Sequence, residues 1–321
     1  MTMSTTKLGN DRLTLSVAIP GAAGTYRGTR FSWGGIIDSA RFQGRHIFGP
    51  WRPGILPLDE HDNVTGTAGE FGMGIAGMPQ PLGFEEAATG DCFVKIGVGV
   101  LRRPDEQPYK FSGIYELVEA PPWQVAHGAD WIETRQTLSH APYGYEYVSR
   151  VALVPGEAAF VTRHTLSNTG AAEIHQSHYS HNFIVFDQHP IDPDYELLFP
   201  FAPTSALAPD SPAFLESHSL MFRAPIPVAK AVFSPLTGFD GTAEGNQVTV
   251  RCRSAGMEVR ITGDRPVCRF HVFAASGAVC PEPFVALRLA PGRSETWEHR
   301  YEFRMLGVPS TWTGEGNGRK S

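Results

Sequence analysis

The sequence is poor in charge, in cysteine and in long apolar runs, and each shortage excludes something. Charged residues make up 19% of the 321 positions, with 27 Lys plus Arg against 33 Asp plus Glu and a net charge of −6. No Lys/Arg block stands out. A nucleic-acid binder needs a basic face to neutralise phosphates, so no nucleic-acid partner is expected. The four cysteines, Cys92, Cys252, Cys268 and Cys280, lie far apart and form no CxxC pair, which removes zinc-ribbon and thioredoxin-like readings. They read as reduced, mostly buried thiols of a cytoplasmic protein, with a secreted two-disulfide protein as the alternative. No stretch approaches the roughly 18 uncharged apolar residues of a membrane span. The start, MTMSTTKLGNDRLTLSV, has neither an apolar signal core nor a small-residue cleavage site. No membrane partner is expected. Helical periodicity is never sustained over a dozen residues, and no repeat of fixed length is visible, so bundles, propellers and solenoids lose ground. GxSxG, HExxH, a P-loop and a GxGxxG in a βαβ setting are all missing.

What is present is apolar material and punctuation. Hydrophobic residues reach 41%, enough for a large core, and 34 Gly with 26 Pro interrupt the chain too often for long helices. Strand composition recurs at Arg12–Ile19, Phe93–Leu101, Tyr145–Leu153, Phe160–Leu166 and Ile174–Phe186. It continues at Gln247–Cys252, Met257–Thr262, Val267–Ala274, Val285–Leu289 and Thr296–Phe303. In Phe93–Leu101, alternation gives Val94, Ile96, Val98 and Val100 the core face and leaves Lys95 and Gly97 on the other. Leu82–Thr89 reads as a helical turn or two, and Glu85-Glu86 suits its start. Gly49–Gly90 and Pro200–Pro227 read as long connections with weak strand signals. The pattern predicts an all-β fold, a large antiparallel two-sheet β-sandwich. It spans 1–310 as a single catalytic domain, with a flexible tail at 311–321.

Four constellations could carry chemistry. Histidine titrates near neutral pH, and four of the 12 histidines crowd into IHQSHYSHNFIVFDQH. On a strand, His175, Tyr179, His181 and Phe183 share one face and His178, Ser180 and Asn182 the other. That separates His178 from His181 and weakens a metal site built on their spacing, so no metal is expected. Second, Cys280-Pro281-Glu282-Pro283-Phe284 holds one glutamate between two prolines. These fix φ and lack N–H groups, so the segment resists pairing as a central strand and stiffens the carboxylate. Third, in Tyr26–Gly35, Arg30 and Trp33 offer a polar clamp and a ring platform for a sugar, or Trp33 is simply core. Fourth, His61, Asp62 and Glu70 on a glycine-rich stretch offer substrate contacts or ordinary surface polarity.

Taken together and in order, these pieces resemble the galactose mutarotase-like superfamily of aldose 1-epimerases and hexose-6-phosphate 1-epimerases, from about Gly24 to Phe303. The carriers are Thr25–Gly35, Phe93–Val100, Asn168-Thr169-Gly170, Ser180-His181-Asn182-Phe183, and Cys280–Phe284 with Pro291-Gly292 and Trp297–Phe303. The resemblance implies a β-sandwich with a concave groove, no cofactor, and a monosaccharide or small sugar derivative as partner. It implies His181 as general acid and Glu282 as general base, facing each other about one pyranose apart. Arg30 would hold a hydroxyl or the ring-oxygen side, and Asp240 would orient hydroxyls. The chain departs from the family in having Gly90-Asp91-Cys92 where a second histidine is usual. His61, Glu70 or Lys95 stands in for it, Lys95 near the place of a helper arginine. The expected activity is a cytoplasmic, cofactor-independent aldose 1-epimerase-like isomerase, monomeric or homodimeric. Alternatives are an isomerase or lyase acting on an uronic or keto sugar, or a non-catalytic sugar-binding protein.

Overall fold

The computed structural model describes residues 4–307 except 53 and 55, so the tail expected at 311–321 lies outside the described residues. Among the described residues the regular structure is strand, with a single 3-10 turn at Ala243–Gly245. The first strands are β1 Thr5–Gly9, β2 Leu13–Ala18, β3 Ile37–Phe42, β4 Arg45–His46 and β5 Thr67–Phe71. A small group follows: β6 Cys92–Lys95, β7 Gly99–Arg102, β8 Glu116–Glu119 and β9 Trp123–His127. The long strands are β10 Trp131–His140, β11 Tyr143–Leu153, β12 Ala159–Asn168 and β13 Ile174–Asn182. Then come β14 Tyr195–Leu198, β15 Ala213–Glu216, β16 Ser219–Phe222, β17 Ala231–Leu236 and β18 Gln247–Cys252. The last are β19 Met257–Gly263, β20 Arg269–Ala275, β21 Ala278–Leu289 and β22 Ser294–Met305.

These strands make two large antiparallel sheets. One runs β1-β2-β3-β5-β13-β21-β20-β17, with β4 on β3; the other runs β15-β16-β14-β18-β19-β22-β12-β11-β10-β9. A third, small sheet is β6-β7-β8. Burial alternates along the long strands as a half-covered sheet demands: Trp131–His140 reads iBiBiBeBei. Val279 and Ile184 of the first sheet join one apolar core with Phe160, Tyr301 and Val259 of the second. Two polar contacts stitch the same interface. The Trp297 indole donates to His178 Nδ1 at 2.9 Å, and the Tyr301 hydroxyl donates to Asn182 Oδ1 at 2.8 Å. Burial pushes the His178 titration far below its ordinary range and keeps it neutral, and the neighbouring imidazoles of His164 and His299 add to that shift. Its role is to satisfy a buried indole, and it lies on the opposite face of β13 from His181.

Several expectations are corrected. Phe93–Leu101 is a hairpin, β6 to β7, with Lys95 paired to Gly99. Gly97 breaks the run: its φ of 78° is open to glycine and strained for other residues. The chain therefore reverses after Lys95, and Lys95, expected on the outer face, is fully buried. A Cβ at position 97 would also collide with the Ser32 side chain. Gly97→Ala is expected to destabilise the protein by more than about 1 kcal/mol. A denaturant midpoint equal to that of the parent would refute this account of the turn. Leu82–Thr89 forms turns, not helix, and the two long connections contain β5, β15 and β16.

Candidate active site

The site is assembled by register across four adjacent strands. β13 pairs β21 from Ile174 opposite Leu289 to His178 opposite Val285, and the same register resumes where Ile184 bridges Val279. Between those points it sets His181 against Glu282. Their side chains touch, His181 Nε2 to Glu282 Oε1, at 3.1 Å. β20 sets His271 opposite Glu282, and its Nδ1 stands 4.0 Å from Glu282 Oε2. On the other flank β5 sets Glu70 opposite Tyr179. Two rows of chemistry thus cross the sheet on one face.

The prolines do not keep β21 out of the sheet centre, contrary to the sequence expectation. Val279 directs both its N–H and its C=O at Ile184. By alternation, positions 281 and 283 direct their backbone groups the same way, toward β13. Both missing N–H groups therefore fall on one edge, while Phe284 still accepts from Cys268 N on the β20 side at 2.8 Å. The open stretch is partly filled by Asn182, whose amide donates to the Pro281 carbonyl at 2.8 Å.

Above this row lies a cavity of about 300 Å³. Its polar lining is Arg30, His61, Asp62, His181 and Glu282. The rest is Trp51, Met73, Ile75, Phe111, Phe183, Phe233 and Phe273. His181 stacks on Phe183 with ring centroids 4.2 Å apart and meets Phe31 edge-on at 5.7 Å, which fixes the imidazole plane. Burial dominates the titration of the pair. It pushes Glu282 up to about 8; the Arg30 charge opposes this and the Glu70 charge adds to it. It drives His181 well below 6.5, helped by Arg30 and His61. His271 falls to about 4, again mainly through burial. Both members of the central pair thus favour their neutral forms, with the shared proton on Glu282.

Arg30 reaches the cavity from an irregular segment that is riveted down. Ser32 N donates to Gly69 O at 2.8 Å, and Trp33 N donates to Gly97 O at 3.0 Å. The Trp33 indole donates to Gly28 O at 2.9 Å. Arg30 Nε then donates to Glu70 Oε2 at 2.8 Å, and Nη2 donates to the Tyr179 hydroxyl at 2.9 Å. The Tyr179 hydroxyl in turn donates a hydrogen bond to Glu70 Oε2 at 2.6 Å. Lys95 Nζ lies 3.4 Å from Glu70 Oε1 and donates to the Tyr109 hydroxyl at 3.0 Å. Burial lowers Lys95 to about 8 against the pull of Glu70. Asp62 Oδ1 approaches Arg30 Nη1 at 3.6 Å.

Of the residues singled out from sequence, the structure brings Arg30, His61, His181 and Glu282 together on the cavity wall. Glu70 and Lys95 are fully buried: Glu70 holds Arg30, and Lys95 pairs with Glu70. Trp33 is no sugar platform: its indole is spent inside the protein on Gly28. Asp240 is exposed, accepts from Thr242, and is not among the cavity's lining residues. His181 and Glu282 are in contact rather than a pyranose apart. Asp62, which the sequence groups with His61, also lines the cavity, whereas His271 is not among the sequence's candidates. Alternation in RFHVF already puts His271 and Phe273 on one face, so that signal was available for the histidine.

No family model and no curated protein matches the chain. Solved structures do. A galactose mutarotase-like protein from Clostridium acetobutylicum is 12% identical, over 94% of this chain and 95% of that one, with a TM-score of 0.58. A galactose mutarotase related enzyme from Lactobacillus acidophilus is 12% identical, over 94% and 98%, with a TM-score of 0.56. An aldose epimerase homologue from C. elegans is also 12% identical, over 94% and 99%, at 0.56. This chain has the galactose mutarotase-like fold. At such identity the likeness speaks for architecture alone.

Proposed function

We propose that the chain is a cofactor-independent sugar isomerase of the aldose 1-epimerase type, with His181 and Glu282 as its proton-transfer pair. The observation that carries this reading is their 3.1 Å contact at the wall of a cavity of about 300 Å³, large enough to admit a monosaccharide. A cyclic hemiacetal has its hydroxyl oxygen and its ring oxygen on the same carbon. Opening the ring removes the proton from the hydroxyl and delivers one to the ring oxygen as the carbon–oxygen ring bond breaks. Donor and acceptor must therefore stand a few ångströms apart, as this pair does. The new carbonyl group turns about its bond to C2, and the two transfers run backwards onto its other face. One proton is held by the pair before and after, so the balance closes.

The resemblance implies His181 as acid and Glu282 as base. Burial favours the opposite resting assignment, with the proton on Glu282 and the lone pair on His181. A proton moved across the contact interconverts the two, and both belong to the same one-proton state of a coupled pair. An uronate substrate finds less support, because Arg30 and His61 already face Glu70, Asp62 and Glu60.

The test is NMR saturation exchange between the anomers of an aldose panel, read as a pH profile. Above about 8 the pair loses its only proton, so kcat/KM is expected to fall as pH rises through that value. An acid limb is expected only well below 6.5, where His181 takes a second proton. Activity that rises through pH 8 would mean Glu282 works as a lone base and would overturn the shared-proton pair.

A further inference from the structure

We propose that the substrate is a lactol with few free hydroxyls, a deoxygenated or O-substituted aldose rather than a plain hexose. This rests on the 1-epimerase reading and narrows it.

The polar groups of the cavity are few, and most are already engaged. Arg30 is held by Glu70, Tyr179 and Asp62. Both His61 ring nitrogens face carboxylates, Nδ1 with Glu60 at 2.9 Å and Nε2 with Asp62. Among the described lining residues, the buried polar atoms without a hydrogen-bond partner are His181 Nδ1, Glu282 Oε2 and Asp62 Oδ1, the last already lying against the Arg30 and His61 side chains. That supply serves an anomeric centre and little else.

The surroundings are apolar on both flanks. Met73 and Ile75 lie just past β5, with Phe111 stacked over the Arg30 guanidinium at 4.4 Å. On the other side Phe273 of β20 pairs with Phe233 of β17, and Trp51 meets Phe273 edge-on at 5.6 Å. A hexopyranose has three further hydroxyls on its ring carbons and a fourth on C6, and they would face these groups without partners, which buried hydroxyls tolerate poorly. Hydrogen, methyl or aryl in their place would gain contact instead. Phe233 adds an independent sign. It sits on an edge strand at the cavity wall, with its ring edge-on to His271 at 4.9 Å, and is still 48% exposed, so a bound apolar group would cover its outer face.

The experiment uses the full chain and two sugars that share an anomeric centre, D-glucose and 2,3,4,6-tetra-O-methyl-D-glucose, followed by polarimetry. The methylated sugar is expected to be turned over with a kcat/KM at least about tenfold higher. Phe233→Ser is expected to raise its KM about tenfold. Equal or faster turnover of D-glucose would overturn the substrate class and leave the epimerase reading standing. Calorimetry with the two methyl glycosides, which cannot open, separates the other failure. Tighter binding of the methylated glycoside without turnover of either sugar would support the apolar-substrate site and overturn the epimerase reading. Absence of both binding and turnover would overturn both.

Discussion

Glu282→Gln is expected to lower the anomerisation rate by about 10²–10⁴ while leaving the protein folded. The amide matches the carboxyl in shape but cannot pass a proton to His181. Its folding penalty is small because the residue it replaces is itself neutral over most of the working range, with Glu282 pushed up to about 8 by burial. The sign of the stability change follows. A carboxyl titrates near 4.5 when unfolded, so between that value and about 8 the unfolded state of the parent gains by losing its proton first. The parent loses stability across that window and the Gln variant does not. Denaturant melts are expected to rank the variant progressively higher, relative to the parent, as pH goes from 4 to 9. Undiminished turnover in the variant would remove Glu282 from the reaction. An unchanged stability difference across that pH range would mean that the carboxyl is not desolvated.

Glu70→Gln is expected to destabilise the fold by about 3–5 kcal/mol, the range seen when one partner of a buried ion pair is removed. Glu70 is fully buried and faces two cations, Arg30 at 2.8 Å and Lys95 at 3.4 Å. Without it both must find other compensation in a cavity floor that water does not reach. Adding Lys95→Met removes one of the stranded cations and is expected to recover a large part of the loss. A double variant no more stable than the single would show that charge balance is not what Glu70 supplies. Equilibrium unfolding in urea measures both.

How much of this could be read from sequence varies along the chain in a physical way. Where one face of a strand is buried, alternation is a reliable guide. Gln247–Cys252 is a strand with the bounds expected, and the two faces of Ile174–Asn182 carry the side chains alternation assigned to them. Where neighbours distant in sequence decide the outcome, local pattern fails. Lys95 looked outward-facing because its counter-ion Glu70 and the turn at Gly97 are invisible to a period of two. β5 was hidden because its buried residues include Gly69 and Glu70, neither of which favours a strand by itself. The sequence around Trp33 fits a platform and a core residue equally, and the indole's bond to Gly28 makes it core. The apolar lining was missed because Trp51, Met73, Ile75 and Phe111 arrive on irregular segments with no periodicity to read.

The spacing of the two prolines in β21 has one further effect. Because Pro281 and Pro283 share a parity, sliding β21 by a single position would turn both toward β20 and strip donors from the ladder that is now intact. The same slide would swing Glu282 into the hydrocarbon between the sheets. The imino acids thus act as a ratchet on alignment, so misthreaded versions of this strand are penalised twice and the reactive carboxyl has a single address.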